Sequence, residues 1–390
     1  MELMKRTAYF LAIAAAVACS DIVTYKRDLP ERFVNQGAPA ISAIYDIRDD
    51  KMDIPLPGGT LAQTLHIKGE NLSNPVSITF NGLEADLEKC YCENKDSYVL
   101  IPRVIPEKVD NKLVYTTAEG SVTYEFPVTI PELSLVGLAD EFVLPGNSVQ
   151  VVGDFFDLFG FGGEDPKATI SIGNTPIQVD SLSETYMSVY IPEDTPDCSL
   201  LTFSWNDINL GPQMRSIPFR NTRWLLFGDF GTTLYWGNVN SKKVLTDGTK
   251  PGDPPSPGYK FLRFNMTVPA STWTSLGVED NWPFDTPPDW EKWVFKFELC
   301  TASARPIPAY TSEGLFFQFT NKGKNVSVDF GGVAVNTGGK WRTFSFPLSA
   351  FAEQLPSNGE CWDLAISMQT PVGWDLDFSI ANMRIEPKEY

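Results

Sequence analysis

The hydrophobic positions of this chain alternate instead of recurring at helical spacing. Leu65-His66-Ile67-Lys68-Gly69 and Val76-Ser77-Ile78-Thr79-Phe80 have the two-residue period of half-buried strands, and Asn81-Gly82 supplies a hairpin turn. Pro39-Ala40-Ile41 opens this series, Pro57-Gly58-Gly59 turns it, and Val99-Leu100-Ile101-Pro102 closes it. A second series repeats the order: Pro131-Glu132-Leu133, Pro145-Gly146-Asn147, Val149 to Gly153, Ala168 to Ile172, Gly173-Asn174, and Val189-Tyr190-Ile191-Pro192. The strand-ending glycines Gly69 and Gly153 are 84 positions apart. The Ile-Pro pairs are slightly further apart, and the extra loop from Phe159 to Glu164 accounts for the excess. Two tandem β-sandwiches are therefore expected, over residues 38–130 and 131–220. His66, between Leu65 and Ile67, is expected to face solvent.

The pattern changes after Arg220. Strand-like runs continue, including Tyr259 to Phe264, Trp293 to Leu299, Leu315 to Phe319, Val326 to Phe330, Trp341 to Phe346, Leu364 to Met368 and Leu376 to Ile380, but long irregular connections now join them. Seven or eight such strands fit a jelly-roll-like sandwich over 221–390, making the chain all-β. Alternation assigns Trp293, Phe295, Phe297 and Leu299 to the core, with Leu315, Phe317 and Phe319, and with Leu364, Ile366 and Met368. The opposite face carries Lys296 and Glu298, Phe316 and Gln318, and Ala365, Ser367 and Gln369. If these strands are neighbours, Glu298, Gln318 and Gln369 form a polar shelf suited to a hydroxyl-rich ligand; a plain solvated face is the alternative.

Composition narrows the chemistry. Of 390 residues, 31 are Lys or Arg and 49 Asp or Glu, and a net charge of −18 argues against nucleic acid. The single His leaves no room for a His-based triad or a multi-His metal site, so no metal and no cofactor is expected. A glycoside hydrolase would need two carboxylates about 5 to 9 Å apart, and no motif pairs the loop carboxylates. At the N-terminus Lys5 and Arg6 precede the apolar run Tyr9 to Val17, which reads as an export signal over residues 1–18. Ala16-Val17-Ala18-Cys19 resembles the bacterial lipoprotein processing box, which implies an acylated Cys19, a tether over 19–37 and attachment to the outer membrane; an ordinary signal peptide is the alternative. Cys90, Cys92, Cys198, Cys300 and Cys361 remain, an odd number; Cys300 and Cys361 are candidates for a disulfide.

Nine of the ten Trp follow Arg220, and their surroundings differ. Trp341 and Trp362 border clear strands and are expected to pack. Trp273, Trp282 and Trp290 stand among Ser, Thr, Asp, Asn and Pro, outside any hydrophobic period, and Tyr310 ends a similar Pro-rich loop. An exposed aromatic plane with polar neighbours suits the C–H face of a pyranose ring.

Two resemblances follow. The Pro-rich entry, PG turn, Gly-ended strand, Asn/Gly hairpin and closing Ile-Pro of residues 38–220 resemble immunoglobulin-like IPT/TIG domains, in two copies, which implies spacer modules. The remainder resembles the C-terminal domain of surface glycan-binding proteins from Bacteroidetes polysaccharide-utilisation systems. Tyr235-Trp236-Gly237, Tyr259 to Arg263, Trp293 to Leu299, Gly338 to Leu348 and Asp377 to Ile385 carry that likeness. It implies a cell-surface lipoprotein, not an enzyme, that captures a polysaccharide, with a β-glucan such as xyloglucan or mixed-linkage glucan favoured. Trp273 or Trp282 with Tyr310 are the implied platform, Trp236 and Trp290 further candidates. The likeness also implies a TonB-dependent transporter and its associated surface lipoprotein as partners. A surface adhesin or assembly protein using the Trp-rich face is the alternative reading.

Overall fold

The computed structural model describes residues 34–163, 166–226, 243–281, 287–309, 314–320, 333–351 and 362–390. The leader, Cys19, Trp236, Trp282, Tyr310, the run Val326 to Phe330 and Cys361 lie outside the described residues. The chain is all-β, with short 3-10 turns between strands, and divides into two compact units, residues 1–132 and 133–390.

In the first unit, strands Ala40–Asp46, Thr64–Glu70, Asp96–Leu100 and Tyr91–Cys92 form one sheet in that order. Strands Leu83–Glu84, Ser77–Phe80, Lys112–Thr117 and Gly120–Glu125 form the other. Ile44, Leu65, Ile67, Val99, Ile78, Phe80, Leu113, Tyr115 and Phe126 pack between them, each fully buried side chain contributing about 1.5–3 kcal/mol. Asn81 and Gly82 both adopt positive φ, so the expected hairpin turn is the one that matches strand twist.

His66 departs from expectation. It is only 8 % exposed, because its cross-strand neighbour Tyr98 stacks on it, ring centroids 4.4 Å apart, and Asp96 takes its Nε2 at 2.7 Å. Alternation put it on the outer face, but aromatic neighbours cover that face locally.

The second unit begins with a sandwich of the same design. Strands Ser134–Leu138, Ser148–Asp154, Met187–Tyr190 and Val179–Leu182 make one sheet. Thr175–Pro176, Thr169–Ile172, Ser199–Asp207 and Gly211–Phe219 make the other. The two strand-ending glycines have one physical cause. A Cβ on Gly69 would lie 2.0 Å from the carbonyl oxygen of Ala40, and one on Gly153 would lie 2.0 Å from that of Ser134. In both copies the opening strand slips register just beyond that approach, between Ile41 and Ala43 and between Leu135 and Gly137.

The terminal sandwich pairs a five-stranded sheet, ordered Lys243–Thr246, Phe261–Val268, Trp374–Pro387, Trp293–Thr301 and Arg342–Pro347, with a three-stranded one, Thr274–Asn281, Trp362–Gln369 and Gly314–Thr320. Phe295, Phe297, Leu299, Leu315, Phe317, Leu364, Ile366 and Met368 meet in its core, as alternation predicts. Trp341 packs too: it is buried edge-on against Phe261, and its indole N–H donates to the Pro255 carbonyl at 2.6 Å.

Part of the outer face of the five-stranded sheet is not solvated, because the preceding sandwich covers it. Arg384, fully buried, donates to both carboxylate oxygens of Glu298 at 3.1 and 3.0 Å and to Glu141 of the preceding sandwich at 2.6 Å. Lys296 pairs with Glu141 at 2.7 Å and with Glu386 at 2.8 Å. The Glu141 N–H donates to the Thr343 hydroxyl, and the Thr343 N–H to the Ala139 carbonyl, so backbone also bridges the joint. Arg220 completes it between the rings of Phe142 and Tyr259, bonded to Asp197, Phe142 O and Pro257 O. Three carboxylates face two cations here. Burial, reinforced by Asp140 and Glu141 and opposed by Arg384, pushes the Glu298 carboxyl up to about 8. Burial would raise Glu386 as well, but Arg384 and Lys296 bring it below its ordinary value.

Candidate functional site

The predicted polar shelf does not form as one surface. Glu298 belongs to the five-stranded sheet, whereas Gln318 and Gln369 belong to the three-stranded one, on the opposite side of the core. Glu298 is sealed within the joint and bonded to Arg384 and Thr343, which removes it from any ligand surface. Alternation shows that a strand has a second face but not what covers it.

The three-stranded sheet retains an outer face of its own. Its central strand places the small residues Ala365 and Ser367 there, and both are buried. In register, Ser367 lies opposite Ser275 on one side and Phe316 on the other, while Gln318 lies opposite Ala365. The side chains of Phe316 and Gln318 lie outside the described residues.

Trp273 stands at one end of this sheet. It immediately precedes the edge strand, whose first residue, Thr274, pairs with Met368, and it is 46 % exposed. At the same end Gln369, half-buried, pairs with Gly314. Local hydrogen bonds hold the connection: Ser271, in a left-handed conformation, donates its N–H to the Thr370 carbonyl at 2.6 Å. The Thr272 hydroxyl donates to Ala270 O, and the Thr370 hydroxyl to Val372 O. Val372, 58 % exposed, lies in the turn after Thr370. Trp273 and Gln369 are thus brought to one end of one sheet. Tyr310 precedes the strand that starts at Gly314 and is itself outside the described residues.

The other candidates separate from this end. Asn281, the residue before Trp282, pairs with Trp362 at the far end of the edge strand, about 24 Å away by strand rise. Trp290 opens a short 3-10 turn and is half-buried, packed against the terminal core, instead of standing in an open loop. Its polar sequence neighbours concealed that burial.

A charged cluster that alternation did not single out lies on the uncovered part of the five-stranded sheet. Arg263 donates to both oxygens of Asp377 at 2.9 Å and to Asp253 at 3.1 Å, and Arg305 donates to Asp377 at 2.7 Å. Each partner is already paired, so the cluster holds the Thr246–Gly258 loop against the sheet. Among the described residues no group of three or more His, Cys, Asp or Glu side chains is arranged to hold a metal ion, and no helix is long and apolar enough to cross a membrane.

Comparison with known proteins adds to this picture. Residues 219–387 match the family model described as the surface glycan-binding protein B xyloglucan binding domain. The fold is similar to that of the surface glycan-binding protein PbSGBP-B of Prevotella bryantii, at 20 % identity and a TM-score of 0.53, over 91 % of this chain and all of that one. An SGBP-B from a complex xyloglucan utilization locus in Bacteroides uniformis aligns at 16 % identity and a TM-score of 0.47, over 90 % of this chain and 99 % of that one. No curated protein matches the chain.

Proposed function

We propose, for a chain whose residues 219–387 match the family model described as the surface glycan-binding protein B xyloglucan binding domain, that it captures polysaccharide at a cell surface and does not cleave it. The observation that carries this reading is the family match of the terminal sandwich, in which Trp273 stands exposed at the same end of the three-stranded sheet as Gln369. The exposed indole supplies a stacking plane for a pyranose ring, and neighbouring amide and hydroxyl groups bond sugar hydroxyls. A β-glucan of the xyloglucan or mixed-linkage type is the favoured ligand. In the small cleft beside the Thr246–Gly258 loop, the carboxylates Asp253 and Asp377 are committed to arginines. The processing box at Cys19 supports anchoring in the outer membrane, with a TonB-dependent transporter and its associated lipoprotein as partners in uptake.

Native gels containing xyloglucan, mixed-linkage glucan, mannan, xylan or α-glucan test the proposal. Retardation in the β-glucan gels is expected, with no release of reducing ends. Trp273→Ala should weaken that retardation about tenfold with the fold intact. Equal mobility of Trp273→Ala and the unaltered protein would remove the platform assignment.

A further inference from the structure

The joint between the second sandwich and the terminal one is buried and ionic at its centre, but to one side an open cleft of about 520 Å³ remains. That volume lies within the usual range for ligand pockets, which favour boundaries between domains. One wall comes from the second sandwich, with Tyr186, Ser148 and Gln150; the other carries Lys340 and Arg342 from the start of the last edge strand. The proline-rich segment Pro255-Ser256-Pro257 closes the back. Trp341 donates its indole N–H to Pro255 O and Arg220 donates to Pro257 O at 3.0 Å, so this wall is fixed without a ligand. A preformed wall removes part of the ordering cost of binding.

The chemistry of the cleft is selective. Tyr186 presents a ring that is 42 % exposed. The Arg342 guanidinium approaches the Gln150 amide oxygen at only 3.5 Å, too long for a strong bond, and the one carboxylate lining the cleft, Asp140, is felt by Arg342 through space. Planar amide and guanidinium groups next to a ring match a pyranose, which offers a flat C–H face and vicinal hydroxyls. A purely apolar ligand would leave Gln150 and Arg342 unsatisfied.

We propose that this cleft is a second carbohydrate subsite, in which Tyr186 stacks on a sugar ring while Gln150 and Arg342 bond its hydroxyls, so that the second sandwich grips glycan as well as positioning the terminal one. The proposal rests on the glycan-binding function above. It is tested on the full chain by calorimetric titration with defined xyloglucan and mixed-linkage glucan oligosaccharides, beside gel retardation by the polymers. Tyr186→Ala and Arg342→Gln each weaken oligosaccharide binding in the cleft about tenfold and lower polymer retention, with an unchanged melting temperature. Trp273→Ala leaves a residual binding event, which Trp273→Ala/Tyr186→Ala removes. If the unaltered chain binds glycan and Tyr186→Ala and Arg342→Gln match it within twofold, the cleft takes no part and the function stands. If the unaltered chain binds no glycan in either assay, the function fails and the subsite with it.

Discussion

Replacing Arg384 tests the joint most directly. Arg384→Met keeps the apolar stem beside the Phe142 ring, over which the guanidinium lies at 4.8 Å, and removes the charge. Glu298 then loses its two bonds from Arg384 and Glu141 loses one, while Lys296 remains to serve Glu141 and Glu386. Stripping one partner from a buried ion pair costs ~3–5 kcal/mol. Glu298 limits the loss because its carboxyl, at about 8, already holds a proton at neutral pH and leaves no uncompensated charge behind. The expected cost is therefore at the lower end, about 3 kcal/mol. Urea unfolding followed by Trp fluorescence reports it, because nine of ten Trp lie beyond Arg220. At a slope near 3 kcal/mol/M the midpoint falls by about 1 M. Arg384→Met/Glu298→Leu, which also removes the carboxyl left without its partner, recovers most of the loss, because an apolar pair replaces a desolvated polar one. A single variant within about 1 kcal/mol of the parent, or a double variant no better than the single, would refute the reasoning.

Further outcomes follow from the same geometry. Glu298 holds its proton from its ordinary value of 4.5 up to about 8 in the folded state, so stability declines as pH rises across that window. Asp140, raised to about 6 by burial, adds the same sign between 3.8 and 6. Melting temperature measured from pH 5 to 8 should therefore fall, and Glu298→Gln should flatten the upper part of the slope. Gly153→Ala, which forces a Cβ against Ser134 O, should destabilise by more than about 2 kcal/mol, whereas Gly82→Ala, with positive φ but open space, should cost about 1 kcal/mol; thermal melts distinguish them.

Period-two alternation was enough to place Phe295, Phe297, Leu315, Phe317, Leu364 and Ile366 in the terminal core, because burial of one face is what creates the pattern. The repeated glycines were equally legible, since the close approach at Ala40 and Ser134 forces the same residue twice. Glu298 was misplaced for a different reason. Its strand is buried on both faces, but the covering surface comes from residues more than 150 positions away, and a buried charged face looks like a solvated one in sequence. Trp290 erred the opposite way, because polar neighbours in a 3-10 turn do not stop one ring from turning inward. Of the proposed platform, Trp273 and Gln369 meet only through the pairing of Thr274 with Met368 and of Gly314 with Gln369, which no local window contains.

The double burial of the strand Trp293–Thr301 also determines where this chain can be divided. A fragment beginning at residue 221 would strip Glu141 from Arg384 and Lys296 and open a row of charges built for a dry interface. One beginning at residue 133 keeps both halves of that interface. The smallest piece of this protein fit for separate study is therefore a two-sandwich block, and any dissection that treats the tryptophan-rich end as freestanding studies a surface the intact molecule never exposes.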